Sequence, residues 1–166
     1  MPLTEESLLT LLIQSIELRE IRLPLVHFFE TSFGRTTERR IVLARVTDAN
    51  GAEGWGECTA GEGPFYSNEW TETAWATLIE FLGPMMLRKE FESAAHVFNL
   101  MKPVRGHRMA KATLETLPRR GRDDRERDEL RAQAIGQAFG VRAVAKMTSR
   151  AVGSAIIRRY SSRSWP

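Results

Sequence analysis

Apolar and polar residues alternate along the first third of the chain with the two-residue period of β-strands. Residues 14–26 alternate and then shift phase, which predicts a strand with a bulge. The β-branched run within residues 36–49 predicts a second strand, and residues 53–58 predict a third. Asn50-Gly51 lies between the last two and is typical of a hairpin turn, because both residues tolerate positive φ. The pattern therefore predicts a three-stranded antiparallel meander.

From residue 68 the apolar period becomes that of a helix. The spacing predicts one helix that is capped by Ser67 or Asn68 and stopped by Gly83-Pro84, and a second over residues 90–101. A third helix should open after Gly106-His107. Because strands come first and helices follow, we predict an α+β fold in which a helical layer covers one face of the sheet.

The charge of the chain changes abruptly after residue 117. Residues 1–117 contain 12 basic and 16 acidic residues, a net charge of −4, whereas residues 118–166 contain 12 basic and 5 acidic residues, a net charge of +7. Eleven of those 12 basic residues are arginine. Such a change indicates a boundary, so we predict an N-terminal extension (1–13), a domain (14–117) and a basic Arg-rich tail (118–166). The apolar pattern also fails there, so we expect the tail to be irregular or to form basic helices within residues 133–160.

Cysteine usage and the first residues bear on the compartment. Cys58 is the single cysteine, which excludes an internal disulfide framework and favours a reducing environment. The apolar run at residues 8–13 is shorter than a membrane span and follows Glu5 and Glu6, where a signal peptide would carry positive charge. We interpret the chain as soluble and cytoplasmic.

The common catalytic and cofactor motifs are missing from the sequence. It has no P-loop, no dinucleotide fingerprint, no zinc motif and no cysteine pair. We interpret His96 and His107 as structural, and Glu57 as a buried carboxylate that accepts loop N–H groups. The aromatic-rich segment 27–34 and the glycine-rich segment 59–66 both read as loops, and such loops commonly carry contacts to a ligand or to another domain.

Four ordered motifs resemble one known domain. They are F-x-T-S-F-G at residues 29–34, G-W-G-E-C at 54–58, G-P-x-Y-S-x-E at 63–69 and G-H-x-M-A-K-A-x-L-E at 106–115. Together they resemble the N-terminal capping domain of the enolase superfamily. Within it, they are most similar to the o-succinylbenzoate synthase and N-acylamino acid racemase group, which is related to the muconate lactonizing enzymes.

The resemblance implies a two-domain lyase or isomerase. In that family a (β/α)-barrel supplies two lysines as acid and base and three carboxylates that hold Mg²⁺, and a proton is removed next to a substrate carboxylate. The family dehydration belongs to menaquinone biosynthesis. The cap supplies two loops over the substrate, which would be residues 27–34 and 59–66 here. We therefore expect Phe29, Thr31, Ser32 and Tyr66 to bind a small carboxylate substrate. Gly61 stands where many relatives carry a larger apolar residue, so the substrate preference stays open.

The tail departs from the family pattern. Residues 118–166 are too few for a barrel, so we expect no catalytic residue and no metal ligand in this chain, and no activity by the chain alone. The tail would then be out-of-frame or otherwise foreign sequence. A barrel supplied in trans and an oligomer both stay open. The alternative is a non-catalytic binding protein whose tail contacts an anionic membrane or nucleic acid, although no nucleic-acid motif supports that partner.

Overall fold

A computed structural model describes residues 11–32, 34–92, 94–115, 140–148 and 156–159. The strands are β1 (Leu11–Thr31), β2 (Gly34–Asp48), β3 (Glu53–Cys58), β4 (Glu90–Phe91), β5 (Gly140–Thr148) and β6 (Ile156–Arg159). The helices are α1 (Thr71–Thr77), a π-helical segment (Leu78–Leu82), α2 (Gly83–Met86), α3 (Ala94–Met101) and α4 (Arg108–Glu115). The antiparallel sheet has the order β3-β2-β1-β5-β6, and β4 pairs with β1. The predicted α+β fold and meander are confirmed.

The helices pack on one face of the sheet and form the main core there. Strand residues of this face and helix residues above it are fully buried, and removing such apolar surface from water is the main stabilising term of the fold. The largest members are Ile13, Ile16, Leu18, Val42, Val46, Leu78, Leu82, Met86, Phe91, Met101 and Leu114. None of the helices among the described residues is long and apolar enough to cross a membrane.

The apolar phase shift in β1 has two structural counterparts. Against β5, the register of β1 is irregular between Glu20 and Ile21, where the phase changes. Against β2 the same stretch is regular, with Glu20 opposite Val42 and Ile21 opposite Ile41. Ile21 and Ile41 pack with Leu43 as a second buried cluster that is separate from the main core. The shift therefore also marks a strand that buries apolar side chains on both faces.

Residues 27–34 do not form the predicted loop. β1 continues to Thr31 and β2 begins at Gly34, with Phe29 opposite Thr36 and Thr31 opposite Gly34. The prediction was wrong because the glycine marks only the tight turn, where Gly34 has a φ of 144°. Aromatic residues and threonine favour extended backbone, so residues 29–31 pair with β2 at the end of a long hairpin, beyond a register shift between Pro24 and Phe29.

The predicted turn at Asn50-Gly51 is confirmed, and it is stabilised by a residue outside the motif. The buried Asp48 accepts hydrogen bonds through Oδ1 from the N–H groups of Asn50 and Ala52, both at 2.8 Å. Gly51 has a φ of 81°, and Asn50 is not among the described non-glycine residues with positive φ. The turn therefore requires the left-handed conformation at the glycine alone.

Gly83-Pro84 does not stop the first helix. Helical backbone runs without a break from Thr71 to Met86, through the five-residue π-helical segment before Gly83. The Gly83 N–H donates to the carbonyl of Leu78. A proline has no N–H and crowds the preceding turn, and a π-turn widens the backbone just where that crowding falls. The helix also begins later than predicted, at Thr71, while the Ser67 hydroxyl instead accepts the Glu69 N–H at 3.1 Å.

The second helix is shorter than its apolar spacing suggested. Phe91 and Glu90 pair with Leu11 and Leu12 as strand β4, and helix α3 is described from Ala94. Phe91 is buried from a strand position, because the apolar face of the segment serves the same core in either backbone conformation. Helix α4 follows Gly106 and His107 as predicted.

The described part of the tail is neither irregular nor helical. β5 pairs with β1, with Met147 opposite Ile16 and Ala145 opposite Leu18, and both tail residues are buried in the main core. A side chain at Gly83 would collide with Met147, so this glycine provides the space for it. The helical prediction was wrong because residues 141, 143, 145 and 147 carry an apolar alternation of period two. The remaining tail residues lie outside the described part of the chain.

Candidate functional site

Two segments of the described chain present most of its exposed large apolar side chains. We call residues 25–36 the hairpin tip and residues 59–70 the aromatic loop. Five of the eight exposed large apolar side chains lie there, namely Val26, Phe28, Phe29, Phe65 and Tyr66. Tyr66 is 92% exposed and Phe65 is 89% exposed, so neither side chain stabilises the core. Exposed aromatic groups in a supported segment are candidates for contacts with a ligand or another domain.

The hairpin tip carries two exposed phenylalanines, Phe28 and Phe29, next to a shift in the β1/β2 register between Pro24 and Phe29. The Arg35 guanidinium lies 4.0 Å from the ring centre of Phe28, and Arg39 lies 5.8 Å from that of Phe29. Both are cation–π contacts. The cation lies closer to the ring at Phe28 than at Phe29, and both phenylalanines are 52% exposed.

Thr31 and Ser32 lie at the turn of the hairpin tip. The Thr31 hydroxyl donates to the carbonyl oxygen of Gly34 at 3.3 Å, so it helps to close the turn. Ser32 is exposed in the turn itself. The structure brings these two residues together with Phe29 in one segment. Tyr66, the fourth predicted substrate contact, lies in the aromatic loop.

The aromatic loop is closed at its base by Thr71. Its N–H donates to the carbonyl oxygen of Gly61 at 2.9 Å. Its hydroxyl lies 3.1 Å from the same oxygen and 3.2 Å from that of Ala60, which is buried. Within the loop, the ring of Phe65 lies over Gly63, where a Cβ atom would approach it to 2.7 Å. The base of the loop is therefore fixed while Phe65 and Tyr66 are presented to solvent.

A buried carboxylate fixes the end of the aromatic loop to helix α4. Glu69 is 5% exposed; its Oε1 accepts the Ala110 N–H at 2.8 Å, and its Oε2 accepts the Met109 N–H at 3.0 Å. These are two of the N–H groups that a helix leaves unpaired at its N-terminus, where negative charge is favoured. His107 Nδ1 lies 4.0 Å from Glu69 Oε1 and 3.2 Å from the Thr77 hydroxyl.

The sequence pointed to the wrong carboxylate. Glu57, which we predicted to be buried, is exposed on β3, because neighbouring strand residues alternate and Cys58 takes the buried position. In the sequence, Glu69 stood out only as the last residue of the G-P-x-Y-S-x-E motif. Its partners are about 40 residues further along the chain. No local signal could have found that contact.

Gly56 allows helix α4 to lie directly against β3. A Cβ atom at this position would be 1.9 Å from the carbonyl oxygen of Thr113. Within the G-W-G-E-C motif, Gly56 is therefore needed for the close packing of two backbones and not for a turn. Through Gly56 and Glu69, α4 is held against both β3 and the aromatic loop.

The charged residues inside the sheet form structural ion pairs. Glu17 lies 2.6 Å from Arg19 and 2.8 Å from Arg45. Burial opposes ionisation of Glu17, but the two arginines outweigh it, so the pKa of this carboxyl lies below its ordinary value. On the helical face, Glu20 and Glu72 both pair with Arg40 and raise its pKa, chiefly through the hydrogen bond from Arg40 to Glu20.

The described residues contain no group of three or more His, Cys, Asp and Glu side chains that could hold a metal ion. Cys58 is buried, and this burial raises the pKa of its thiol, which disfavours the nucleophilic thiolate. The hairpin tip and the aromatic loop expose aromatic side chains that another molecule could contact.

Residues 15–117 match the family described as the mandelate racemase / muconate lactonizing enzyme N-terminal domain. The chain belongs to this family. It is 43% identical over 103 residues to an N-succinylamino acid racemase of Amycolatopsis sp. The matched region covers 62% of this chain and 28% of that relative. It is 40% identical over 104 residues to an o-succinylbenzoate synthase of Enterococcus faecalis, which covers 63% of this chain and 28% of the relative.

The fold of this N-terminal domain agrees with a solved structure. The crystal structure of an enolase superfamily member from Enterococcus faecalis V583 superposes with a TM-score of 0.57 at 39% identity, over 63% of this chain and 28% of that one. The recognised family is thereby confirmed. The chain spans little more than a quarter of the length of the relatives it matches.

Proposed function

We propose that this chain provides the substrate-capping part of an enzyme similar to o-succinylbenzoate synthase and N-acylamino acid racemase. The observation that carries the proposal is the pair of exposed aromatic segments on a domain of this family, with the aromatic loop closed at its base by Thr71. Phe29, Thr31, Ser32 and Tyr66 would contact a small carboxylate substrate and keep water from it. Excluding water strengthens the electrostatic interactions on which proton abstraction next to a carboxylate depends.

The chemical step would be carried out by a barrel domain, whether in a longer protein or in a separate chain. Mg²⁺ held by carboxylates of that domain would supply positive charge beside the substrate carboxylate. In this proposal the described residues contribute substrate binding and orientation. We therefore propose that residues 1–166 have no turnover by themselves and act in cytoplasmic menaquinone chemistry or in racemisation of N-acylated amino acids.

Reconstitution in trans tests this function. The full chain would be mixed with the barrel part of the Amycolatopsis racemase in the presence of Mg²⁺. Racemisation of an N-succinyl amino acid and dehydration of the cyclohexadiene precursor of o-succinylbenzoate would then be measured. We expect activity from the mixture and none from either component. The racemase's own capping domain, added to the same barrel, is the positive control. Activity of this chain alone, or a silent mixture beside an active control, would contradict the proposal.

The contribution of the hairpin tip can be separated from a general surface effect. Phe29→Ala should raise KM in the mixture roughly tenfold, because the aromatic contact with bound substrate is lost. Phe98→Ala is the matched control, since Phe98 is 51% exposed on helix α3 and Phe29 is 52% exposed. Equal effects of the two substitutions would argue against a substrate contact at Phe29.

A further inference from the structure

Glu69 carries a buried carboxylate near the C-terminal end of the aromatic loop. Both of its carboxylate oxygens accept backbone N–H groups of α4, at 2.8 and 3.0 Å, and it is 5% exposed. Its position in the chain is three residues after Tyr66 and two before Thr71. The carboxylate therefore joins the loop that presents Tyr66 to a helix from a distant part of the sequence.

Two residues at the C-terminal end of the aromatic loop fix it through different contacts. At its base, Thr71 bonds to the carbonyl oxygens of Gly61 and Ala60, so this contact is local. Two residues earlier, Glu69 accepts the N–H groups of Met109 and Ala110, so this contact joins the loop to helix α4. If the Glu69 contact were lost, Thr71 would still close the loop, but the direction of the loop relative to α4 would no longer be fixed.

The geometry of the contact uses both carboxylate oxygens as acceptors, one for each N–H group. The first turn of α4 carries unpaired N–H groups and the positive end of the helix dipole. Hydrogen bonds from such donors to a charged oxygen are shorter and stronger than bonds between neutral groups. An amide at this position keeps one acceptor oxygen and turns an NH₂ group toward the second donor. Glutamine therefore cannot replace the contact, although it has the same shape.

We propose that Glu69 is a positioning residue, which sets where the aromatic loop holds Phe65 and Tyr66 relative to α4. In the capping function proposed above, on which this part of the inference rests, Glu69 does not touch the substrate. It acts through Tyr66. The same buried carboxylate makes α4 the support of the loop, so a displacement of α4 at its N-terminus would be passed to the aromatic groups.

Amide hydrogen exchange of the full chain tests the contact without any assay of activity. In Glu69→Gln, the amides of Met109 and Ala110 should exchange roughly tenfold faster, because local opening no longer breaks a charge-assisted bond. The Lys111 amide is the internal reference, since it donates to the His107 carbonyl at 3.0 Å and not to Glu69. Glu57→Gln removes an exposed carboxylate from β3 and is the matched control. Unchanged exchange at Met109 and Ala110 would overturn the proposal.

Chymotrypsin, which cleaves after aromatic residues, reads out the position of the loop. In Glu69→Gln, cleavage after Phe65 and Tyr66 should increase several-fold, while cleavage after Phe28 and Phe29 in the hairpin tip stays as in the parent chain. An equal increase at both segments would indicate general loss of stability and would overturn the positioning role. Should Glu69→Gln fail to fold, Glu69→Asp is the second variant, because it draws the carboxylate back by one methylene. The same increases in amide exchange and in cleavage are expected for it.

The reconstituted mixture adds a kinetic readout. Glu69→Gln should raise KM with kcat within about twofold, because substrate binding weakens while the reacting groups are unchanged. A fall in kcat at constant KM would contradict positioning through Tyr66. If the parent mixture has no activity, the proposed capping function fails, whereas the exchange and cleavage results still decide whether Glu69 fixes the loop.

Discussion

Residue size has opposite consequences in the packed interior of this domain and in its two exposed segments, the hairpin tip and the aromatic loop. In the interior, a single absent side chain decides the geometry, as at Gly56, where any Cβ would meet the backbone of α4. In the aromatic loop, large side chains such as Tyr66 extend into solvent and add little to the core. The two regions therefore place different demands on the size of a side chain. A small residue matters where backbones approach closely, and a large one matters where another molecule is to be contacted.

We expect the largest loss of stability when a side chain is added at Gly56. Gly56→Ala should lower the free energy of unfolding by about 3–4 kcal/mol, because its Cβ would lie 1.9 Å from the Thr113 carbonyl oxygen and α4 must move. Chemical denaturation of the purified chain measures the change. Gly61→Ala is the control, since the nearest atom to a Cβ there is 3.8 Å away, and it should cost less than about 0.5 kcal/mol. Similar costs at both glycines would refute close packing at Gly56.

The tail strand belongs to the packed interior, and Met147 tests that assignment. Met147→Ala should cost about 2–3 kcal/mol in unfolding free energy, because it leaves a cavity between β5 and the helices beside Gly83. The neighbouring Lys146 is exposed on the same strand, and Lys146→Ala should change stability by less than about 0.5 kcal/mol. A denaturation midpoint that is unchanged in Met147→Ala would show that β5 does not complete the core.

The ion pair of Glu17 gives a smaller and pH-dependent effect. The pKa of Glu17 is lowered in the folded chain, so its contribution is present above the ordinary carboxyl pKa of about 4.3 and is lost as pH falls through the folded value. Glu17→Gln should therefore be less stable by about 1–2 kcal/mol at pH 7, and this difference should shrink below about pH 4. Denaturation at pH 7 and at pH 3 measures it. Glu62→Gln, at an exposed position, should show no such difference; a gap for Glu17→Gln that persists at pH 3 would contradict the ion-pair explanation.

We expect the smallest change in unfolding free energy from a substitution in the aromatic loop. Tyr66→Ala should alter the unfolding free energy by less than about 0.5 kcal/mol, because the ring is 92% exposed. Trp75→Ala, at a 6% exposed aromatic residue in α1, should instead cost about 3–5 kcal/mol. Thermal denaturation of the two variants in parallel provides the measurement. A large loss for Tyr66→Ala would mean that the aromatic loop is part of the core and would weaken its proposed role.

Local pattern determined much of this protein. The alternation in β1 and β2, the Asn50-Gly51 turn and the opening of α4 after His107 were all predictable, since each depends on residues close in sequence. The motifs also identified the family to which residues 15–117 belong. The four substrate contacts proposed from those motifs stay predictions, with three of them now placed in one hairpin tip.

Only the tertiary structure decided the long-range contacts. Glu69, and not Glu57, is the buried carboxylate, because its hydrogen-bond donors are N–H groups of α4, about 40 residues further along the chain. The tail formed strand β5 because an edge of β1 offered backbone partners and the core had space for Met147 beside Gly83. A helix continued through Pro84 because a π-turn relieved the crowding. Local periodicity reports which side chains avoid water, whereas the partner that covers each of them is set by the chain folding back on itself.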